Sequence, residues 1–335
     1  MRLHRGRPGG GSPEPGDAGG LERRLAWIFG SPRSGSTWLL RLLAYPLEPA
    51  LTGSTGARRP RGRRRVAARV VPIDEPYLPQ HLTPLVPVAG DPADMSKPTS
   101  TTLNATRGDD PNHLFSPLYA DAWRPPLRSL ILSRFAAQVT RAADEHGVRD
   151  PLAVVKEPNG SHGAELVMSL LPESRLIFLV RDGRDVVDSF IDAMSGEGWL
   201  AGRPGLPRLD DPERRLAFAR SESRAWVDRT EAVERAFRAH SPELRYSLRY
   251  EDLRADTEGV LSPLLDWLGV ERSDAELRAG VADNAFESIP AGQRGRGTQW
   301  RAASPGLWRE NLTGAEQRGM REIMAPKLTA LGYEP

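Results

Sequence analysis

Residues 25–37 read L-A-W-I-F-G-S-P-R-S-G-S-T, and the parsing of this stretch decides the fold. The five apolar residues Leu25–Phe29 have the length and composition of a short strand buried on both faces. The next eight, Gly30 to Thr37, carry the glycine spacing of the phosphate-loop pattern G-x-x-x-x-G-K-[ST]. S-T-W-L-L-R-L-L-A, residues 36–44, then opens a helix. Strand, glycine-rich loop and helix in that order turn backbone N–H groups inward at the positive end of the helix, so an oxyanion is the expected ligand. One position departs from the pattern. Ser36 stands where the lysine belongs, and the cation of the loop is Arg33, three places earlier.

Downstream, strand and helix signals alternate. P-L-A-V-V-K-E-P (151–158), R-L-I-F-L-V-R (175–181) and L-R-Y-S-L-R-Y (244–250) read as strands. Helices are expected from residue 128 to 146, across G-A-E-L-V-M-S-L-L, from Gly183, over 211–239, in T-E-G-V-L-S-P-L-L-D-W-L-G and over about 314–331. This alternation predicts an α/β fold, a central parallel sheet flanked by helices, in a single domain of the P-loop NTPase-like kind. Residues 1–22, rich in Gly and Pro, read as a disordered tail, and the domain is expected to run over 23–335. Residues 53–65 (G-S-T-G-A-R-R-P-R-G-R-R-R) read as a flexible basic loop, either simply solvated or drawing in an anion. Residues 72–126, dense in Pro, Asp, Thr and Asn, read as an irregular lid over a substrate.

Composition narrows the chemistry. The 335 residues are 39% hydrophobic and 27% charged with a formal charge of +2, a balance that does not demand a nucleic acid. No cysteine is present, which excludes disulfides, thiol nucleophiles and thiolate metal sites. The six histidines are scattered, so no metal site is expected. No apolar run approaches the roughly 20 residues of a membrane helix, and the N-terminus lacks the apolar segment of a signal peptide. A soluble, cytoplasmic protein is the expectation; its oligomeric state is not legible.

A second loop follows the strand at 175–180. In R-D-G-R-D-V-V-D-S, residues 181–189, Arg181, Arg184 and Ser189 form a candidate second anion site, although the interleaved Asp182, Asp185 and Asp188 also suit a salt-bridge cluster. Two anion sites at the carboxyl ends of parallel strands call for a ligand with two separated anionic groups.

The pair P-R-S-G-S-T-W and R-D-G-R-D-V-V-D-S resembles the sulfotransferase family, which uses 3′-phosphoadenosine 5′-phosphosulfate (PAPS) and releases PAP. The resemblance covers about residues 25–335 and is weakest in the middle third. It implies that Arg33, Ser34, Gly35, Ser36, Thr37 and Trp38 bind the cofactor at its phosphosulfate end, and that Arg181 and Ser189 bind the 3′-phosphate. L-R-Y-E-D-L is similar to a family strand end that places Tyr250 near the adenine. R-A-A-S-P-G-L-W is similar to the family's R-K-G-x-x-G-D-W, which implies a 3′-phosphate contact from Arg301 and a place for Gly306 among the cofactor-binding residues. Ala302 and Ala303 depart from that pattern.

The resemblance also implies roles in the reaction. Arg33 and Lys156 lie near the transferred group. Pro158 replaces the histidine that cytosolic small-molecule members carry, and I-D-E-P-Y instead resembles the glutamate-type branch, with Glu75 as the base; Glu157, His81 and His162 are alternatives. A hydroxyl or amine of a small molecule, glycolipid or carbohydrate is the implied acceptor, and no Mg²⁺ is implied. Two other readings stay open on the residues: a P-loop kinase with Asp182 holding Mg²⁺, and a nucleotide-binding relative without catalysis.

Overall fold

Among the described residues, five segments form the strands of one all-parallel sheet: β1 (Leu25–Phe29), β2 (Val70–Asp74), β3 (Leu152–Lys156), β4 (Arg175–Val180) and β5 (Arg245–Arg249). The computed structural model describes residues 18–47, 69–79, 111–112, 114–203, 206–302 and 304–335. The strand order is β2–β3–β1–β4–β5. The chain moves outward from β1 to one side and returns to the other, so the crevice where strand order reverses lies at the carboxyl end of β1.

Side chains alternate across the sheet as the period of two requires. Leu25, Trp27 and Phe29 face a core built with α3 (Ala120–His146), α4 (Ala164–Leu170), α5 (Gly183–Met194), α6 (Pro212–Ala239) and α11 (Gly314–Ala330). Ala26 and Ile28 face the opposite core, with α2 (Ser36–Ala44), α7 (Tyr250–Ala255) and α8 (Thr257–Leu268). α1 (Ala18–Glu22), α9 (Asp274–Asp283) and α10 (Trp308–Asn311) complete the main helices. Helix starts carry their expected chemistry: Asp211 caps α6 with Pro212 following, and Thr313 and Glu316 form a capping box on α11.

Three expectations are corrected. Residues 18–22 are helical rather than tail, because Leu21 is buried and the buried Glu22 carboxylate accepts from the Glu173 N–H and pairs with Arg128. Residues 1–17 lie outside the described residues. At the start of the expected lid of 72–126 the chain is still in β2, which runs to Asp74; its Pro72 is tolerated because β2 is an edge strand of the sheet among the described residues. At the far end of that region α3 begins at Ala120 and includes Pro125 and Pro126, upstream of the helix expected from residue 128. Residues 80–110, and the basic segment 53–65, lie outside the described residues.

Candidate active site

The loop after β1 is shaped by left-handed backbone at Arg33 (φ 68°) and Gly35 (φ 88°). Gly35 stands at the start of α2, which has no side-chain cap, so its first N–H groups face the crevice. A Cβ on Gly35 would sit 2.5 Å from Cδ2 of Tyr250, so glycine allows the tyrosine ring to lie against the loop. Gly35→Ala is therefore expected to destabilise the fold by about 1–3 kcal/mol through strain and displacement of the ring, a loss that urea denaturation measures.

Cations converge on this loop. Arg33 donates from Nε to Ser189 Oγ at 3.0 Å and from Nη2 to the Gln299 carbonyl at 3.0 Å. Arg181 donates to the Arg33 carbonyl at 2.6 Å, and its guanidinium lies 4.4 Å from the centre of the Tyr250 ring. Arg301 is anchored by the Asp188 carboxylate. Burial, and then the neighbouring Arg181 and Arg301, lower Arg33 to about 10. Three guanidiniums this close repel one another, and an anion between them relieves the repulsion. Two buried loop hydroxyls, Ser31 Oγ and Ser34 Oγ, and Arg181 Nε have no hydrogen-bond partner among the described residues.

One pocket gathers most of the residues singled out from sequence: Arg33, Gly35, Ser36, Thr37, Trp38, Arg181, Ser189, Tyr250 and Arg301 all line it. Trp38 meets Tyr250 edge to face at 6.0 Å and donates to the Asn284 carbonyl at 2.9 Å. Ser34 lies just beneath, fully buried. Gly306 is not in the lining; its N–H donates to Asp185 at 2.8 Å. Arg184 also turns away, pairing with Asp182 at 2.8 Å and stacking over Trp308. The same pairing commits Asp182, which caps α5 by accepting from the Arg184 N–H, and argues against a Mg²⁺-holding role for it. Among the described residues, no group of three or more His, Asp and Glu could hold a metal.

Thr37 links this pocket to a second cluster. Its Oγ1 accepts from Lys156 Nζ at 2.9 Å, and that ammonium also contacts Asp74 at 2.7 Å and Glu75 at 2.8 Å. Tyr77 donates its hydroxyl proton to the other Glu75 oxygen at 2.8 Å; burial, with the hydrogen bond to Glu75 and its charge, raises the Tyr77 phenol to about 12. Glu157 is fully buried, and desolvation raises its carboxyl to about 7. His162 packs beneath α6, where burial and then Arg229 lower it to about 4. His81 lies outside the described residues.

The depressed His162 value implies a pH effect with a fixed sign. The unfolded chain binds its proton near pH 6.5 and the native state only near 4, so stability contributed by neutral His162 is complete above about 6.5 and is lost as pH falls toward 4. Thermal melts should show a smaller drop over that window for His162→Gln than for the wild type.

Several lining residues were not singled out from the sequence: Arg41 and Arg254 on helices, and Asn284, Phe286, Gln299 and Trp300 in the segment beyond α9. Arg41 lies one turn into the helix that follows the loop, 5.5 Å from the Trp300 ring centre, and helical spacing alone could have flagged it. Asp74 was also missed, because its contact with Lys156 depends on the pairing of β2 with β3.

A family model described as Sulfotransferase family matches residues 26–274. A protein-tyrosine sulfotransferase of Drosophila melanogaster is 25% identical over 196 residues, 57% of this chain; the chain spans 36% of that relative's length. Among solved structures, mouse sulfotransferase SULT7A1 complexed with PAP superposes with a TM-score of 0.51 at 13% identity, covering 95% of this chain and 90% of that one. That likeness is one of fold. No helix among the described residues is long and apolar enough to cross a membrane.

Proposed function

The chain belongs to the sulfotransferase family, and from that premise we propose that it moves the sulfuryl group of PAPS to a hydroxyl or amine of a small-molecule, glycolipid or carbohydrate acceptor. The observation that carries this reading is the convergence of Arg33, Arg181 and Arg301 with Ser189 on one pocket that Trp38 and Tyr250 also wall. The donor fits what is there. Among the described residues the buried hydroxyls of Ser31 and Ser34 and the Nε of Arg181 have no partner, and burial together with the nearby Arg181 and Arg301 depresses Arg33. In this reading Arg33, Ser34 and the amides of residues 35–38 hold the phosphosulfate. Ser189, Arg181 and Arg301 hold the 3′-phosphate, and Trp38 and Tyr250 flank the adenine.

PAPS supplies an activated sulfuryl group whose transfer, like phosphoryl transfer, passes through a loose in-line transition state. The protein's work is then positioning and charge. Arg33 and the loop amides neutralise charge on the leaving phosphate. Lys156, held by Thr37, Asp74 and Glu75, places an ammonium at the junction of the two clusters. Glu75 accepts the proton of the acceptor, and Tyr77 fixes its other oxygen. The glutamate-type base favours a hydroxyl acceptor, and this preference rests on family resemblance.

A thermal-shift titration tests the reading, because a ligand bound only by the folded state raises Tm once its concentration exceeds its Kd. PAP is expected to raise Tm, and ATP with Mg²⁺ to have a much smaller effect. A shift with ATP and Mg²⁺ alone would overturn the proposal in favour of a kinase.

A further inference from the structure

The turn that carries Glu75 has a backbone its residues disfavour. Glu75 has φ 43° and Tyr77 has φ 55°, with Pro76 between them. Left-handed backbone at two non-glycine residues in three persists only where the surroundings over-determine it. From the strand side, the Glu75 N–H donates to the Lys156 carbonyl at 3.0 Å.

Behind the turn stands Glu157. Its Oε2 accepts from the Leu78 N–H at 3.3 Å, and its Oε1 is buried without a hydrogen-bond partner among the described residues. Its side chain is fully buried and is not part of the pocket lining. Gly160 completes the backing: a Cβ there would lie 2.7 Å from Pro79 Cγ and 3.0 Å from Glu157 Cγ. Pro79 therefore seats directly on the backbone that Glu157 borders.

We propose that Glu157 is a positioning residue for the transfer reaction, its Oε2 acting as a hydrogen-bond acceptor that holds the turn of residues 75–79 against the end of β3 so that Glu75 stays in contact with Lys156. The inference rests on Glu75 acting as the base. It gives Glu157 a role through backbone amides, in place of a direct proton transfer for which its buried position is ill suited. A desolvated carboxylate is costly to keep, and the amides of a strained turn are groups that offset that cost.

The test uses the full chain. Amide hydrogen exchange without ligand reads the turn itself, and turnover with PAPS and 4-nitrophenol as a hydroxyl probe reads the chemistry. Glu157→Ala should accelerate exchange at Tyr77 and Leu78 and lower kcat on the order of 10- to 100-fold, the usual cost of misplacing a reacting group. Its affinity for PAP should stay within about twofold, since Glu157 lies outside the donor pocket. Glu157→Gln keeps a carbonyl acceptor for Leu78 and should recover most of the protection and the turnover. Gly160→Ala, whose Cβ presses on both Pro79 and the Glu157 side chain, should reproduce the split between kcat and PAP affinity. In a Glu75→Gln background, Glu157→Ala should cost little more.

Glu157→Gln as impaired as Glu157→Ala would overturn the proposal, because an ionisable carboxylate would then be needed. Unchanged exchange at residues 77 and 78 in Glu157→Ala would do the same, whether or not 4-nitrophenol is turned over. Unchanged turnover in Glu75→Gln would instead remove Glu75 as the base, a failure that the exchange data register separately.

Discussion

Glu75→Gln is expected to lower kcat on the order of 10²- to 10⁴-fold, the range for loss of a positioned general base, and to leave PAP affinity within about twofold. The expected split follows from where Glu75 sits. It touches Lys156 and Tyr77 rather than the guanidinium cluster, and it does not line the pocket assigned to the donor. Glutamine preserves the size of the side chain and an oxygen for the Tyr77 hydroxyl, so the turn keeps its shape while the proton acceptor is lost. Kinetics with saturating PAPS, paired with calorimetry of PAP binding, reads both quantities. A fall in PAP affinity as large as the fall in kcat would mean that Glu75 shapes the donor pocket instead of taking a proton.

The second large effect concerns the cations. Arg181→Ala and Arg33→Ala should each weaken PAP binding roughly tenfold to a hundredfold, corresponding to about 1.5–3 kcal/mol for a charged hydrogen bond. Arg181→Ala is expected at the upper end. Its side chain also holds the Arg33 carbonyl and covers the Tyr250 ring, so its loss loosens the loop and uncovers the aromatic wall together. Burial, and then the like charges of Arg181 and Arg301, depress the proton affinity of Arg33, so removing it in the absence of ligand relieves a desolvated and repelled charge and should cost the free protein little stability. Calorimetric titration with PAP measures both changes. Unaltered affinity in both variants would dismantle the assignment of the two anion subsites.

The parts of this molecule that were legible in sequence share one property: their meaning is local. Gly30 to Thr37 shows its strand–loop–helix context within twenty residues, and the Arg181–Ser189 stretch does likewise. Arg184 shows the limit of spacing. It satisfies the same pattern as Arg181, yet its own neighbour Asp182 takes its guanidinium. β2 was hidden because Pro72 argues against a strand in any position except an edge, and edge placement is a property of the sheet. Asp74 stayed hidden with it. The wall formed by residues 284–302 has no periodicity to read, because its position is set by side chains about a hundred residues away.

Those side chains lie on α5. Asp188 holds Arg301 and Asn311, Asp185 holds the Gly306 amide, and Asp192 accepts from the Gly297 amide at 2.9 Å. The matched family span ends at residue 274, short of the segment these acids fasten. The outer wall of the pocket is thus fastened to a scaffold helix, through Arg301 on the lining itself and through Gly297, Gly306 and Asn311 beside it. Substitution at Ala302, on the rim, leaves those fastenings and the loop beneath in place, so the mouth of the site can change shape without disturbing the cation cluster at its floor.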